Sequence, residues 1–259
     1  MVKIIVTITA FLISLISIAQ VSEYRDVSNF SKLKVSQSIQ VSYTISDKIS
    51  VKVETDDKEK MELIKTGVVG ETLKLFIETE NYAPNGKKRK YKYNDVRFKV
   101  LKITVSGPNL DEIKASSSAD VKFENTNTSS NLDVAVSSSG SIAGSFNCTN
   151  LTIDASSSGD FTGKISATSV TIESSSSSDV NLSGKATKIS VKASSSSDCN
   201  LKDFTVEEAT IGASSSADVS IKVTKSIEAK ASSSASISYY GNPSEVKKEE
   251  SSSGSVKSK

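Results

Sequence analysis

Between residues 106 and 259 the chain alternates apolar and polar residues in short runs, and three serines interrupt each run at the same place. One unit sets Leu151, Ile153 and Ala155 on alternate positions, then Ser156, Ser157 and Ser158, then Gly159 and Phe161. The next sets Val170, Ile172 and Ser174 before its serines and Ser178, Val180 and Leu182 after them. Alternation at period two is the mark of strands. The triplets begin at Ser116, Ser137, Ser156, Ser175, Ser194, Ser214, Ser232 and Ser251, separated by 21, 19, 19, 19, 20, 18 and 19 residues. A spacing this regular signals stacked supersecondary units.

A straight strand through a whole unit would exceed roughly 35 Å at about 3.3 Å per residue. That is too long for a compact layer, so the chain must bend where the small residues gather. The pattern predicts an all-β protein: a right-handed parallel β-helix, or β-solenoid, with rungs stacked about 4.8 Å apart. At each corner the middle serine is expected to point inward, where a larger side chain has no room, and its two neighbours outward. Buried hydroxyls would then bond carbonyls of the bend or of the next rung.

Residues 33 to 43, LKVSQSIQVSY, follow the same alternation with Gln37 in the expected inward place. They read as a degenerate first rung, so the solenoid is expected to start near residue 24. Alternation is less regular over 20–105 and regular over 106–259, which makes 20–259 a single domain. Residues 80 to 95, ENYAPNGKKRKYKYND, form one long polar excursion with a Pro-Asn-Gly turn signal. Residues 241–259 carry a last triplet with few apolar residues, as expected of a polar capping rung. At the other end, MVKIIVTITAFLISLISIAQ joins Lys3 to an apolar run ending in Ser17, Ile18 and Ala19, the anatomy of a signal peptide over 1–19. The run is shorter than the roughly 20 residues that span a bilayer. The mature chain is therefore expected to lack a transmembrane segment and to be exported, to the periplasm, the outer-membrane surface or the medium.

Composition narrows the chemistry. The 259 residues are 36% hydrophobic and 6% aromatic with no Trp, so the core must consist largely of small and aliphatic side chains. A net charge of +2 supplies no strong field to recruit nucleic acid. The chain contains no His, which removes the commonest general base and the usual zinc ligand. Export permits disulfides, yet only Cys148 and Cys199 exist. Cys199 falls in the inward column and Cys148 in another, about three rungs or 14 Å away by the strand spacing. That is beyond disulfide reach, so both are expected as free thiols.

Two sets of residues stand out as candidate sites. Four places after each triplet begins, consecutive rungs carry Asp160, Asp179, Asp198 and Asp218. Carboxylates stacked about 5 Å apart repel and would suit a bridging Ca²⁺, which accepts oxygens in loose geometry. The same residues also serve as Asx caps of their own bends. The segment Lys87, Lys88, Arg89, Lys90, Tyr91, Lys92 and Tyr93 mixes charge with aromatic rings. Lys87, Lys88, Arg89, Tyr91 and Tyr93 would contact an anionic glycan, although charge runs are more often solvated hairpin tips. The outer serines, such as Ser156 with Ser158 or Ser194 with Ser196, would form a hydroxyl ladder suited to carbohydrate or ordered water.

The leader, the rung FSKLKVSQSIQVSY, the units ASSSADV, SSSGDF and ASSSSDC, and the closing YYGNP and SSSGS segments together resemble the auto-transporter adhesin, head GIN domain family. The resemblance covers nearly the whole mature chain. It implies a β-helical domain with an adhesive role in an exported protein of a Bacteroidetes-type bacterium, and it brings no catalytic residues to carry over.

The reading that follows is an exported non-enzymatic binding protein, an adhesin-like module contacting a glycan or envelope component. A purely structural or self-associating envelope protein is the alternative, and the oligomeric state is left open. A polysaccharide-acting β-helix enzyme ranks third. It would need paired carboxylates, or acidic ligands beside a basic proton acceptor, whereas the Asp column is evenly spread and the only arginines are Arg25, Arg89 and Arg97.

Overall fold

Strands follow the alternation almost everywhere in the computed structural model, which describes residues 21–78, 80–82, 88–90 and 97–259, with the backbone alone at 80–82 and 88–90. The predicted signal peptide lies outside the described residues. The chain opens with β1 (Val21–Arg25), β2 (Lys32–Ser36), β3 (Gln40–Ile45) and β4 (Ser50–Thr55), a single helical turn α1 (Lys58–Met61), then β5 (Ile64–Val69) and β6 (Thr72–Ile77). A two-stranded ribbon of β7 (Glu80–Tyr82) and β8 (Lys88–Lys90) precedes β9 (Leu101–Gly107). The regular part contains β10 (Glu112–Ser116), β11 (Asp120–Phe123), β12 (Asn127–Val136), β13 (Ser141–Ala155) and β14 (Asp160–Ser174). It continues through β15 (Asp179–Ala193), β16 (Asp198–Ala213) and β17 (Asp218–Ala231) to β18 (Ser236–Tyr240), β19 (Glu245–Glu250) and β20 (Ser255–Ser258).

These strands build the β-solenoid of about eight turns that the repeat predicts. Like residues lie over like: Leu132, Leu151, Val170, Ile189, Ala209, Ile227 and Val246 are successive partners in parallel ladders. All but Val246 are buried. The long strands lose their alternation part-way along, once in β14 at Ser166 to Ser169 and twice in β16, at Lys202–Asp203 and Glu207–Glu208.

The serine corner differs from the expected one. Ser157, the middle residue, is exposed, and so is Ser158. Both have positive φ, 50° and 59°, and the N–H of Gly159 donates to the carbonyl of Ser156 at 2.9 Å. Two left-handed residues inside a four-residue hydrogen-bonded turn are the signature of type I′. The inward slot belongs to the residue after the triplet: Ala119, Gly159, Ser178, Ser197, Ala217 and Ala235. The left-handed backbone turns the middle side chain out, which simple alternation through the corner does not foresee. Gln37 follows the same correction, since it is the first left-handed residue of its turn at φ 66°.

Two of the inward residues are serines, as expected, and their hydroxyls are satisfied locally. Ser178 Oγ donates to the Ala155 carbonyl at 3.0 Å and accepts the Ser175 N–H at 3.1 Å. Ser197 Oγ repeats this one rung on, with Ser174 and Ser194 as partners.

The N-terminal layers are not stacked in chain order. β2 pairs in parallel with both β10 and β6, and β3 with both β11 and β9. The rung expected to come first is therefore second, beneath a terminal layer of β6 and β9. That layer is flanked by antiparallel β5 and β4, and β1 pairs antiparallel with β4. In chain order the parallel strands thus begin with β2 rather than near residue 24, and β1 is an edge strand. Inside, Phe30, Tyr43, Phe123, Phe146 and Phe161 form a ladder with ring centroids 6.5, 4.9, 5.3 and 5.7 Å apart. Offset and edge contacts at these distances add to the burial of large rings.

The opposite end is a charged lid. By register, Lys248 and Glu250 of β19 take the places of buried Ala229 and Ala231 in the rung below. The Lys248 ammonium lies 4.8 Å from the Tyr239 ring centre and donates to the Val256 carbonyl, while Glu250 accepts the Val256 N–H. Charges facing the stack axis deter another chain from adding to the open edge.

Candidate functional site

The described surface offers its regular chemistry along the serine corner and on the two strand faces that meet there. On the face after the corner, Asp160, Asp179, Asp198 and Asp218 are consecutive register partners and all are exposed. Partial burial raises the pKa of Asp160, aided by Asp179 and opposed by the Thr162 hydroxyl. Partial burial likewise raises that of Asp198, with the charges of Asp179 and Asp218 adding and Lys202 opposing. The expected column is real in its register. Among the described residues, however, no group of three or more His, Cys, Asp or Glu side chains is arranged to hold a metal ion. The calcium expectation gains no ligand set.

The expected basic and aromatic site falls largely outside the described residues. Lys88 and Arg89 lie on β8, where their backbones pair with Tyr82 and Asn81. Their side chains, and Lys87, Tyr91 and Tyr93 entirely, lie outside the described residues. The serine ladder is rearranged, because the two exposed columns are the middle and third serines and the first is half-buried. Cys148 and Cys199 are buried, unbonded thiols. Burial pushes them up to about 11 and about 12, so neither is a thiolate nucleophile at neutral pH.

A feature missed by sequence reading lies on the face before the corner. There the outward column runs Lys34, Lys114, Ala135, Asp154, Glu173, Lys192, Gly212, Lys230, Glu249 in register. Between this column and the first serines runs a groove of about 630 Å³, extending from Asp154 to Lys230. Ser156, Ser175, Ser194, Ser214 and Ser232 line its other side, one per turn. Among the described residues no hydrogen bond uses these five hydroxyls.

Charge in the groove is sorted. Lys192 Nζ meets Glu173 at 2.8 Å, and Lys230 Nζ meets Glu228 at 3.4 Å and Glu249 at 3.3 Å. Partial burial raises the Asp154 pKa, with Glu173 and Asp133 adding to the shift and Lys114 opposing it. Along the groove lining Asp154 and Glu173 come first and Lys192 and Lys230 follow, with both lysines paired to carboxylates. Aligning outward as well as inward positions would have shown this column in the sequence; what the alignment could not show is that it borders a concavity.

Against protein families, residues 29–243 match the model described as "Putative auto-transporter adhesin, head GIN domain". The chain belongs to this family. Solved structures similar to this GIN-domain chain include a Parabacteroides distasonis protein described as a putative lipid binding protein, at TM-score 0.83 and 21% identity, covering 93% of this chain and 96% of that one. A putative adhesin from Parabacteroides merdae matches at TM-score 0.83 and 15% identity, covering 93% and 96%. Another from Bacteroides fragilis matches at 0.65 and 22%, covering 93% and 97%. At these identities the likeness establishes the GIN-domain fold. A comparison with curated protein sequences finds no match.

Proposed function

We propose that this GIN-domain chain is an exported, non-enzymatic binding protein of the cell envelope that contacts a glycan or another envelope component. The observation that carries this reading is the serine corner. Backbone geometry holds two columns of exposed hydroxyls in line over eight turns, on a rod whose core is packed. Such a template suits a repetitive, hydroxyl-rich partner. The family's adhesin description supports a binding role at the cell surface. The buried column is filled by side chains from Leu33 to Val256, so a lipid partner would have to contact the outside.

A second reading, self-association, is favoured by Tyr24, Val69 and Phe76, which are exposed on the strands at the N-terminal end. The charged lid at the other end speaks against open-ended stacking of copies. A glycan array with the mature chain, together with protease treatment of intact cells, tests the first reading. Binding to defined glycans and loss of the protein from intact cells are expected. An empty array with a protein protected from protease would count against it, and concentration-dependent sedimentation would then favour the second.

A further inference from the structure

Gly212 occupies a place that neither backbone nor packing requires. Its φ lies outside the left-handed region, and a Cβ built on it would meet nothing within 4 Å. Gly184 is the contrast: it has φ +108°, and a Cβ there would fall 2.1 Å from the Ile165 carbonyl oxygen. A glycine inside a strand costs about 0.5–1 kcal/mol relative to alanine through chain entropy. Gly212 therefore weakens β16 and returns nothing to the fold.

Its missing side chain opens the groove instead. Lys192 precedes Gly212 by one turn and Lys230 follows by one turn in the same outward column. Two lysines thus flank a gap, their backbones about 9.6 Å apart at two rung spacings. Ser194, Ser214 and Ser232 line the same stretch. Both ammonium groups lean away from Gly212, onto Glu173 one turn before and onto Glu228 and Glu249 at and beyond Lys230, so each must swing back over the gap to meet a carboxylate. Exposed pairs of this kind are worth about 0–1 kcal/mol, so an entering anion shares the ammonium groups at little cost. Asp154 repels an anion at the other end, where Glu173 is its register neighbour and no lysine lines the groove, which favours negative charge at the Gly212 end.

We propose that the Gly212 end of this groove binds a short stretch of an acidic polysaccharide, with one carboxylate seated over Gly212 between Lys192 and Lys230 and the ring hydroxyls following Ser194, Ser214 and Ser232. The proposal rests on the glycan-binding role above and adds to the two exposed serine columns a neighbouring site, lined by the half-buried first serines, with its ligand class. A short linear chain suits the three hydroxyls at the lysine end, Ser194, Ser214 and Ser232, and a pyranose ring is about as long as one rung is thick.

Isothermal titration of the mature chain with an oligogalacturonate and with a neutral cello-oligosaccharide of equal length tests it. The oligogalacturonate binds, more weakly as salt rises, and the neutral chain binds less well. Gly212→Thr raises the thermal midpoint, because threonine prefers strands, yet weakens oligogalacturonate binding roughly tenfold or more. Lys192→Ala with Lys230→Ala causes a comparable loss, and circular dichroism melts verify that each variant folds. Unchanged affinity in both folded variants would overturn this site while leaving a glycan-binding role elsewhere intact. Preference for the neutral oligosaccharide would overturn the ligand class. Failure of the wild type to bind either oligosaccharide would overturn the proposal, and an empty glycan array besides would remove the parent reading as well.

Discussion

The backbone N–H of Ser158 donates to the carbonyl of Ser176, one turn further along the stack, at 3.0 Å. The same bond joins Ser139 to Ser157, Ser177 to Ser195 and Ser196 to Ser215, at 3.0–3.1 Å. Meanwhile the first serine's N–H points the other way, as Ser156 N–H does toward the Val136 carbonyl at 3.0 Å. A left-handed pair at each corner thus reverses the donor direction and ties every turn to both neighbours. Left-handed geometry costs roughly 1–2 kcal/mol per non-glycine residue, and these interlocking bonds offset it.

Substitutions in the turn test this directly. Ser158→Val places a β-branched residue at φ 59° and is expected to destabilise the protein by about 1–3 kcal/mol. Ser158→Gly is expected to change stability by less than about 1 kcal/mol. Urea denaturation of the two variants checks the difference; equal effects would mean that the corner is not held left-handed.

Ser197 tests the inward slot. Ala119, Ala217 and Ala235 occupy the corresponding position, so Ser197→Ala fits sterically and loses only the bonds to Ser174 and Ser194. A cost of about 0.5–1.5 kcal/mol is expected. Ser197→Leu overpacks the corner and is expected to cost about 1–3 kcal/mol or more. Ser195→Leu, at the exposed middle position, is expected to pack against nothing and to affect stability through the backbone alone. Denaturation midpoints for the three variants order them.

The Asp column imposes a pH dependence. Asp160 and Asp198 have pKa values raised in the folded protein. Near the ordinary carboxylate range the folded state therefore binds more protons than the unfolded one, and these two groups make stability fall as pH rises through the window between unfolded and folded values. Asp179→Asn removes a charge that raises both and is expected to lessen that fall. Thermal melts from about pH 3 to 6 on wild type and variant measure it, and identical pH profiles would contradict the coupling.

The charged lid gives a test of assembly. Lys248→Leu with Glu250→Val extends the apolar column to the open edge of β19 and removes the contacts to Tyr239 and Val256. Exposed apolar edges recruit other chains, so the double variant is expected to form larger species as concentration rises. Sedimentation velocity against wild type detects them.

Much of this molecule was legible as a pattern. The nineteen-residue spacing, the period-two alternation and the placing of Leu151, Val170 and Ile189 in one column followed from residue order, because a parallel stack superposes chemically equal positions. The register of Asp160, Asp179, Asp198 and Asp218 followed for the same reason. The corner did not. Alternation assumes an extended backbone and places both Ser157 and Gly159 inward; two successive residues with positive φ turn Ser157 outward and leave Gly159 alone in the inward place.

The sequence by itself determined that the chain would coil into equal rungs, since its side chains can bury themselves only against copies of the same pattern. Only the tertiary structure decided that β6 and β9 form the terminal layer over β2 and β3, because that order comes from long-range pairing that no local alternation encodes. It also decided that Lys192, Gly212 and Lys230 border one groove. A concavity is a property of how the strand face meets the serine turn, and a string of residues has no surface until it folds.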